Sequence, residues 1–111
     1  AQVAIAVRMQ DPSGKKYLDF HQKLLTGRGQ ADKARAVAAA KEAGVDIARL
    51  EKDMAGPEIR ATLEENLRIA EDMGLNGTPS YVIGDQVVVG AIGLPALKEK
   101  ISMARCGQLS C

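Results

Sequence analysis

Two periods of hydrophobic spacing run along this chain, and the change between them marks its organisation. Through the first two-thirds, apolar residues recur every three to four positions, as on one face of a helix. Ala1 to about Gln10 is a short apolar helix, closed by the breaker run Asp11-Pro12-Ser13-Gly14. Lys15 to Thr26 places Tyr17, Phe20, His21 and Leu24 on one amphipathic stripe. Ala31 to Ala43 is rich in the strong helix formers Ala, Lys and Arg, with Gly44 where a C′ residue belongs. Asp46 reads as the N-cap of a short helix bearing Ile47, Leu50 and Met54. Gly56-Pro57 breaks the chain again, and Pro57 suits the first turn of the next helix. That helix carries Ile59, Leu63, Leu67 and Ala70 in register and stops at Gly74. Near the end, Leu94, Leu97, Ile101 and Ala104 repeat with helical spacing, with Pro95 close to the start. The expected order is five helices, a hairpin, one helix and a tail.

The hairpin is where the period changes. Ser80-Tyr81-Val82-Ile83 and Gln86-Val87-Val88-Val89 are strand-forming runs separated by Gly84-Asp85, a tight two-residue turn of type II′. With Ile83 opposite Gln86, one face of the ribbon carries Tyr81, Ile83 and Val88, and the other Val82, Val87 and Val89. A half-exposed antiparallel pair alternates apolar and polar residues, whereas this one is apolar on both faces. It therefore reads as part of a larger sheet covered on two sides.

Composition narrows the classes. The 111 residues suffice for one domain, and 46% are hydrophobic, but only 3% are aromatic and Trp is absent, so Ala, Val, Leu, Ile and Met must build the core. Fifteen Lys and Arg against fourteen Asp and Glu give a net charge of +1. That balance argues against a nucleic acid or membrane held by bulk charge. No apolar run approaches the roughly 20 residues that span a bilayer. The opening Ala1 to Gln10 lacks the basic flank and cleavage site of a signal peptide and reads as an Ala-rich helix entered mid-element. A helix-turn-helix reading of residues 38–54 fails because its second helix is short and acidic where a recognition helix is basic.

Candidate chemistry is sparse. Cys106 and Cys111 are the only cysteines, and Cys106 falls at the C-terminal end of its helix, where the dipole disfavours a thiolate. Four intervening residues also differ from a Cys-X-X-Cys pair. The two read as a tail disulfide, whose short loop stabilises by about 2 kcal/mol, or as two free thiols. Metal binding by two cysteines without a nearby histidine is not expected. His21, the only histidine, lies on an apolar stripe and reads as a packed structural residue rather than a base. The glycines at 74, 77, 84 and 90 form no phosphate-loop pattern.

The segment from Gly74 to Ile101, with the helical run from Lys41 to Met73 before it, resembles the DsbA-like thiol–disulfide oxidoreductases of the thioredoxin superfamily. Gly77-Thr78-Pro79-Ser80-Tyr81-Val82-Ile83-Gly84-Asp85 looks like that fold's cis-proline loop, the following strand and the turn into the last strand. Residues 16–25 and the helices after them look like the helical subdomain those proteins insert. The resemblance implies an α/β fold, here a mostly helical thioredoxin-fold remnant: residues 1–74 the helical insertion, 75–105 the C-terminal half of the thioredoxin fold, and 106–111 a tail. By base rate alone Thr78-Pro79 is an ordinary trans turn; the resemblance implies a cis bond, with Gly77, Thr78 and Pro79 facing substrate and the Thr78 backbone pairing with an extended peptide.

The departure from the family is equally specific. Its members carry Cys-X-X-Cys at the start of their first helix, and this sequence has no Cys before Cys106. The chain is thus expected to be the C-terminal portion of a longer protein, without catalytic residues of its own and inactive alone. The resemblance implies a parent acting on disulfides of exported proteins, in the periplasm or another extracytoplasmic space. Its partners would be protein or peptide thiols and disulfides and a redox partner protein, with no cofactor and no nucleic acid. A glutathione-dependent kappa-class transferase or isomerase relative and a non-enzymatic helical binding module are the alternatives. Whether the parent oxidises, reduces or isomerises rests on the dipeptide between its cysteines. An unpaired, two-faced hairpin is also expected to draw the chain into a homo-oligomer through its edge.

Overall fold

The computed structural model describes residues 1–111. Six helices and one two-stranded sheet follow in the order α1 (Gln2–Gln10), α2 (Lys15–Thr26), α3 (Lys33–Glu42), α4 (Ile47–Met54), α5 (Pro57–Asp72), β1 (Ser80–Ile83), β2 (Gln86–Val89) and α6 (Leu94–Cys106). No helix is long and apolar enough to cross a membrane. The chain divides into two compact units, Ala1–Glu65 and Asn66–Cys111.

In the first unit, α1 is the central element and touches α2, α3 and α4. Its small and branched residues explain that position. Ala6 and Val7 are fully buried and Val3 nearly so, which lets three neighbours approach closely. Phe20 of α2, Ala39 and Ala40 of α3, Val45, Leu50 of α4 and Ile59 of α5 close the core, with Tyr17, Leu24, Met54 and Leu63 packed at its margin. One aromatic ring is enough because alanines elsewhere keep the helices close.

Local signals set the helix ends. Asp32 caps α3 by accepting from the Arg35 amide at 2.9 Å, so the helix begins at Lys33 rather than at Ala31, where composition alone started it. Asp46 caps α4 in the same way at 3.1 Å. The Gln10 side chain ties that cap to α1: its amide donates to the Asp46 carbonyl at 2.8 Å and accepts from the Asp46 N–H at 3.1 Å. Asp11 joins α1 to α2 by accepting from Ser13 Oγ at 2.6 Å and from the Lys16 amide at 2.9 Å. Those bonds, the serine hydroxyl first, hold its carboxyl below the ordinary aspartate range and keep a negative charge at the start of α2.

His21 departs from expectation. It is exposed, stacked on the Tyr17 ring at 6.3 Å between centroids, and takes no place in the core. The stripe of α2 is narrower than the spacing implied, and Phe20 alone is buried on it. The apolar register of α5 likewise packs only at its first half: Ile59 is buried and Leu63 half-buried, whereas Leu67 is 66% exposed.

In the second unit, the hairpin pairs Ser80 with Val89, Tyr81 with Val88, Val82 with Val87 and Ile83 with Gln86. Gly84 has φ +61° and no non-glycine residue has positive φ, which excludes a type I′ turn and matches the signs of type II′. α6 packs on β1, with Ala104 against Gly84, and the ribbon's face of Tyr81, Ile83 and Val88 is the covered one, Val88 being buried. The opposite face is open. Val82, Val87 and Val89 are 49%, 42% and 47% exposed. None of the α6 stripe is buried, and Leu94 is 64% exposed, because one ribbon face is too small to cover a whole helix.

Candidate functional site: the Gly77–Pro79 loop and the free edge of β1

The loop leading into β1 is built from both ends. At its start, α5 stops in a Schellman arrangement: Gly74, at φ +69°, donates to the Glu71 carbonyl at 3.1 Å, and Leu75 donates to the Ala70 carbonyl at 2.8 Å. At its end, the Gly90 N–H donates to the Pro79 carbonyl at 2.7 Å and extends the hairpin ladder one pair beyond β1. Between these anchors, the Thr78–Pro79 peptide bond is cis.

Two contacts fix the loop on the ribbon. The Ser80 hydroxyl donates to the Gly77 carbonyl. Gly77 also lies so close to Val89 that a Cβ at this position would stand 2.6 Å from the valine Cγ1. Gly77 is therefore glycine for want of space, not for a left-handed backbone. Sequence reasoning named Gly77, Thr78 and Pro79 but missed Ser80 and Val89 as the residues that hold them. The spacing Gly-X-X-Ser, with a β-branched residue opposite the serine, is the signal that was available.

The register then decides which backbone groups are free. Because residues 79 and 90 share a ladder hydrogen bond, pairing alternates so that Tyr81 and Ile83 turn their amides toward β2. Ser80 and Val82 turn theirs outward along an edge that no strand of the chain covers. Thr78 is exposed, and no backbone hydrogen bond within the chain engages it. The site is an edge with a fixed loop at its head, and residues 77–83 include no cysteine, histidine or charged side chain.

Cys106 and Cys111 are joined in a disulfide with Cα atoms 6.5 Å apart, at the far end of α6. No group of three His, Cys, Asp or Glu side chains could hold a metal ion. A cavity of about 340 Å³ in the first unit, lined by Gln2, Lys33, Val37, Glu51, Met54 and Ala55, is a groove between helix faces with no converging reactive groups.

A thioredoxin-type hairpin, entered through a proline loop and preceded by a helical unit, defines the class. The chain belongs to the DSBA-like thioredoxin domain family, whose sequence profile matches residues 1–102. It is similar to a thioredoxin-like oxidoreductase from Silicibacter pomeroyi DSS-3, with a TM-score of 0.82 and 34% identity over 94% of this chain and 58% of that one. It is also similar to Proteus mirabilis ScsC in a compact conformation, with a TM-score of 0.77 and 27% identity over 95% of this chain and 56% of that one. The chain thus spans less than three-fifths of either solved structure. No curated protein sequence matches it.

Proposed function

We propose that residues 1–111 form part of a thiol–disulfide oxidoreductase acting on disulfides of exported proteins in the periplasm or another extracytoplasmic space. In this reading the reactive cysteine pair lies outside these residues, and the chain contributes the substrate-facing loop and a helical cover. The observation that carries it is Thr78: exposed, without a backbone partner, and held at the head of an open strand edge by Ser80 and Val89. An extended peptide pairing with the Thr78 backbone gains main-chain hydrogen bonds whatever its side chains, which suits an enzyme that must accept many substrates. Family membership and the two oxidoreductase structures support the same class.

The test separates peptide positioning from chemistry. In the protein bearing these residues, Thr78→Arg places a bulky cation where the peptide runs. It should lower kcat/KM for a disulfide-containing peptide about tenfold, the equivalent of about 1.4 kcal/mol, and leave exchange with a small aromatic disulfide unchanged. Equal losses on both substrates, or none, would remove Thr78 from the peptide path.

The free edge below the loop is a second part of the proposal. Ser80 and Val82 offer unpaired backbone groups beside three exposed valines, a combination that favours pairing with a further strand. For the chain by itself, the simplest partner is a second copy related by a two-fold axis. Val82 rather than Val88 is the residue to alter, since Val88 is buried and its loss would damage the ribbon. Sedimentation at micromolar concentration should show a dimer that Val82→Lys weakens at least about tenfold. A wild-type chain that stays monomeric at high concentration refutes the pairing.

A further inference from the structure

The chain has two asparagines, Asn66 and Asn76, and they sit in opposite backbone settings. Asn66 lies inside α5 and is followed by Leu67, whose amide is held in the helix by a carbonyl one turn back. Asn76 lies in the loop between α5 and β1 and is followed by Gly77. It is exposed, and no hydrogen bond engages its side chain or the Gly77 amide. Glycine has no Cβ to shield that nitrogen.

The pair stands between two fixed points. Before it, the Leu75 N–H donates to the Ala70 carbonyl at 2.8 Å. After it, the Gly77 carbonyl accepts from the Ser80 hydroxyl. The side-chain amide of Asn76 and the backbone nitrogen of Gly77 are the unengaged groups between these anchors, and they belong to adjacent residues. A reaction between them closes a ring within the chain and needs no second molecule to approach. No residue from Gly74 to Ile83 is charged, so the head of the proline loop is electrically neutral as synthesised.

We propose that Asn76–Gly77 is a self-modifying site, which deamidates through a succinimide and turns the neutral head of the proline loop anionic. The Gly77 nitrogen gives up its proton and attacks the side-chain carbonyl carbon of Asn76. A carbon–nitrogen bond forms, and the side-chain nitrogen leaves as ammonia with the electron pair of the old bond and a proton. Water then opens the ring. Attack at the former side-chain carbonyl restores the ordinary main chain and leaves an aspartate. Attack at the backbone carbonyl reroutes the chain through the side chain and leaves an isoaspartate. One water is consumed and one ammonia released, with no oxidant or reductant. Both products place a carboxylate two positions before Thr78. The isoaspartate also lengthens the main chain by a methylene between the two anchors, beside Gly77, which has no room to shift toward Val89.

The test incubates the folded protein bearing these residues at mildly alkaline pH, quenches it in acid and maps its peptides by mass and retention. A synthetic peptide of residues 70–83 is the unstructured reference. Asn76 should convert within about tenfold of the peptide's rate, since no hydrogen bond has to open first, and should give both the α-linked and the β-linked product. Asn66 should keep its amide. Slower conversion than that, an α-linked product alone, or equal conversion at Asn66 would each overturn the assignment. The consequence for substrates rests on the oxidoreductase reading. Asn76→Asp, which adds the charge without lengthening the chain, should lower kcat/KM for an acidic disulfide peptide at least about threefold relative to a basic one at low salt. Equal changes on both peptides would remove the charge effect. An unsubstituted protein that exchanges with neither peptide would count against the oxidoreductase reading and leave the mapped modification standing.

Discussion

Phe20→Ala is expected to destabilise the helical unit by about 3–5 kcal/mol, among the largest losses from truncating one side chain in this chain. Phe20 is 1% exposed and supplies the only aromatic ring in a core otherwise made of Ala, Val, Leu and Ile. The buried alanines of the same core, Ala6, Ala39 and Ala40, are too small to fill the vacated volume. The transfer and cavity costs therefore add. His21→Ala, one position along, is the control. His21 is exposed and touches only the Tyr17 ring, so the change should stay within about 0.5 kcal/mol. Urea unfolding followed by far-ultraviolet circular dichroism measures both. A His21 variant as damaged as the Phe20 variant would mean that α2 packs on its other side.

Gly77→Ala is expected to cost about 1–3 kcal/mol by overpacking and, more tellingly, to be rescued by a second substitution. The added Cβ falls 2.6 Å from Val89 Cγ1. Valine has two branches at Cβ and few rotamers in a strand, so it yields poorly. Removing that methyl with Val89→Ala should restore most of the loss, giving a coupling of about 1 kcal/mol or more in the double-mutant cycle. Additive losses would show that Gly77 is needed for its backbone freedom and not for its contact with Val89. The same pair of changes should leave the Ser80 hydroxyl bond to the Gly77 carbonyl in place, since neither touches the oxygen.

Much of the architecture was legible because local signals and periodicity agreed. α2 runs from Lys15 to Thr26 and the strands run Ser80–Ile83 and Gln86–Val89, as spacing and turn chemistry require. Pro57 opens α5 and Asp46 caps α4 for the same local reasons. What failed was the step from periodicity to burial. Tyr17, Phe20, His21 and Leu24 share a face by spacing, yet only Phe20 is buried, Tyr17 and Leu24 pack at the core's margin and His21 is exposed. Leu67, Leu94 and the three open valines are apolar on faces that nothing in residues 1–111 covers, and a pattern cannot say what covers it. The loop was legible through family resemblance. Its supports, Ser80 and Val89, were not, because a hydroxyl-to-carbonyl bond and a close approach to glycine have no period.

The central claim, that the Thr78 position faces an extended cysteine-bearing peptide, has a direct kinetic test. Cys106 and Cys111 are bridged, so Thr78→Cys introduces the one free thiol within residues 1–111. Disulfide formation between that thiol and an activated cysteine peptide can be timed against the same reaction at Ser13→Cys, an exposed position in the other unit. Peptide binding at the loop raises the local concentration of the reacting groups. The account predicts reaction at least about tenfold faster at position 78, abolished by an excess of the same peptide without its cysteine. Equal rates at positions 78 and 13, untouched by the competitor, would contradict it.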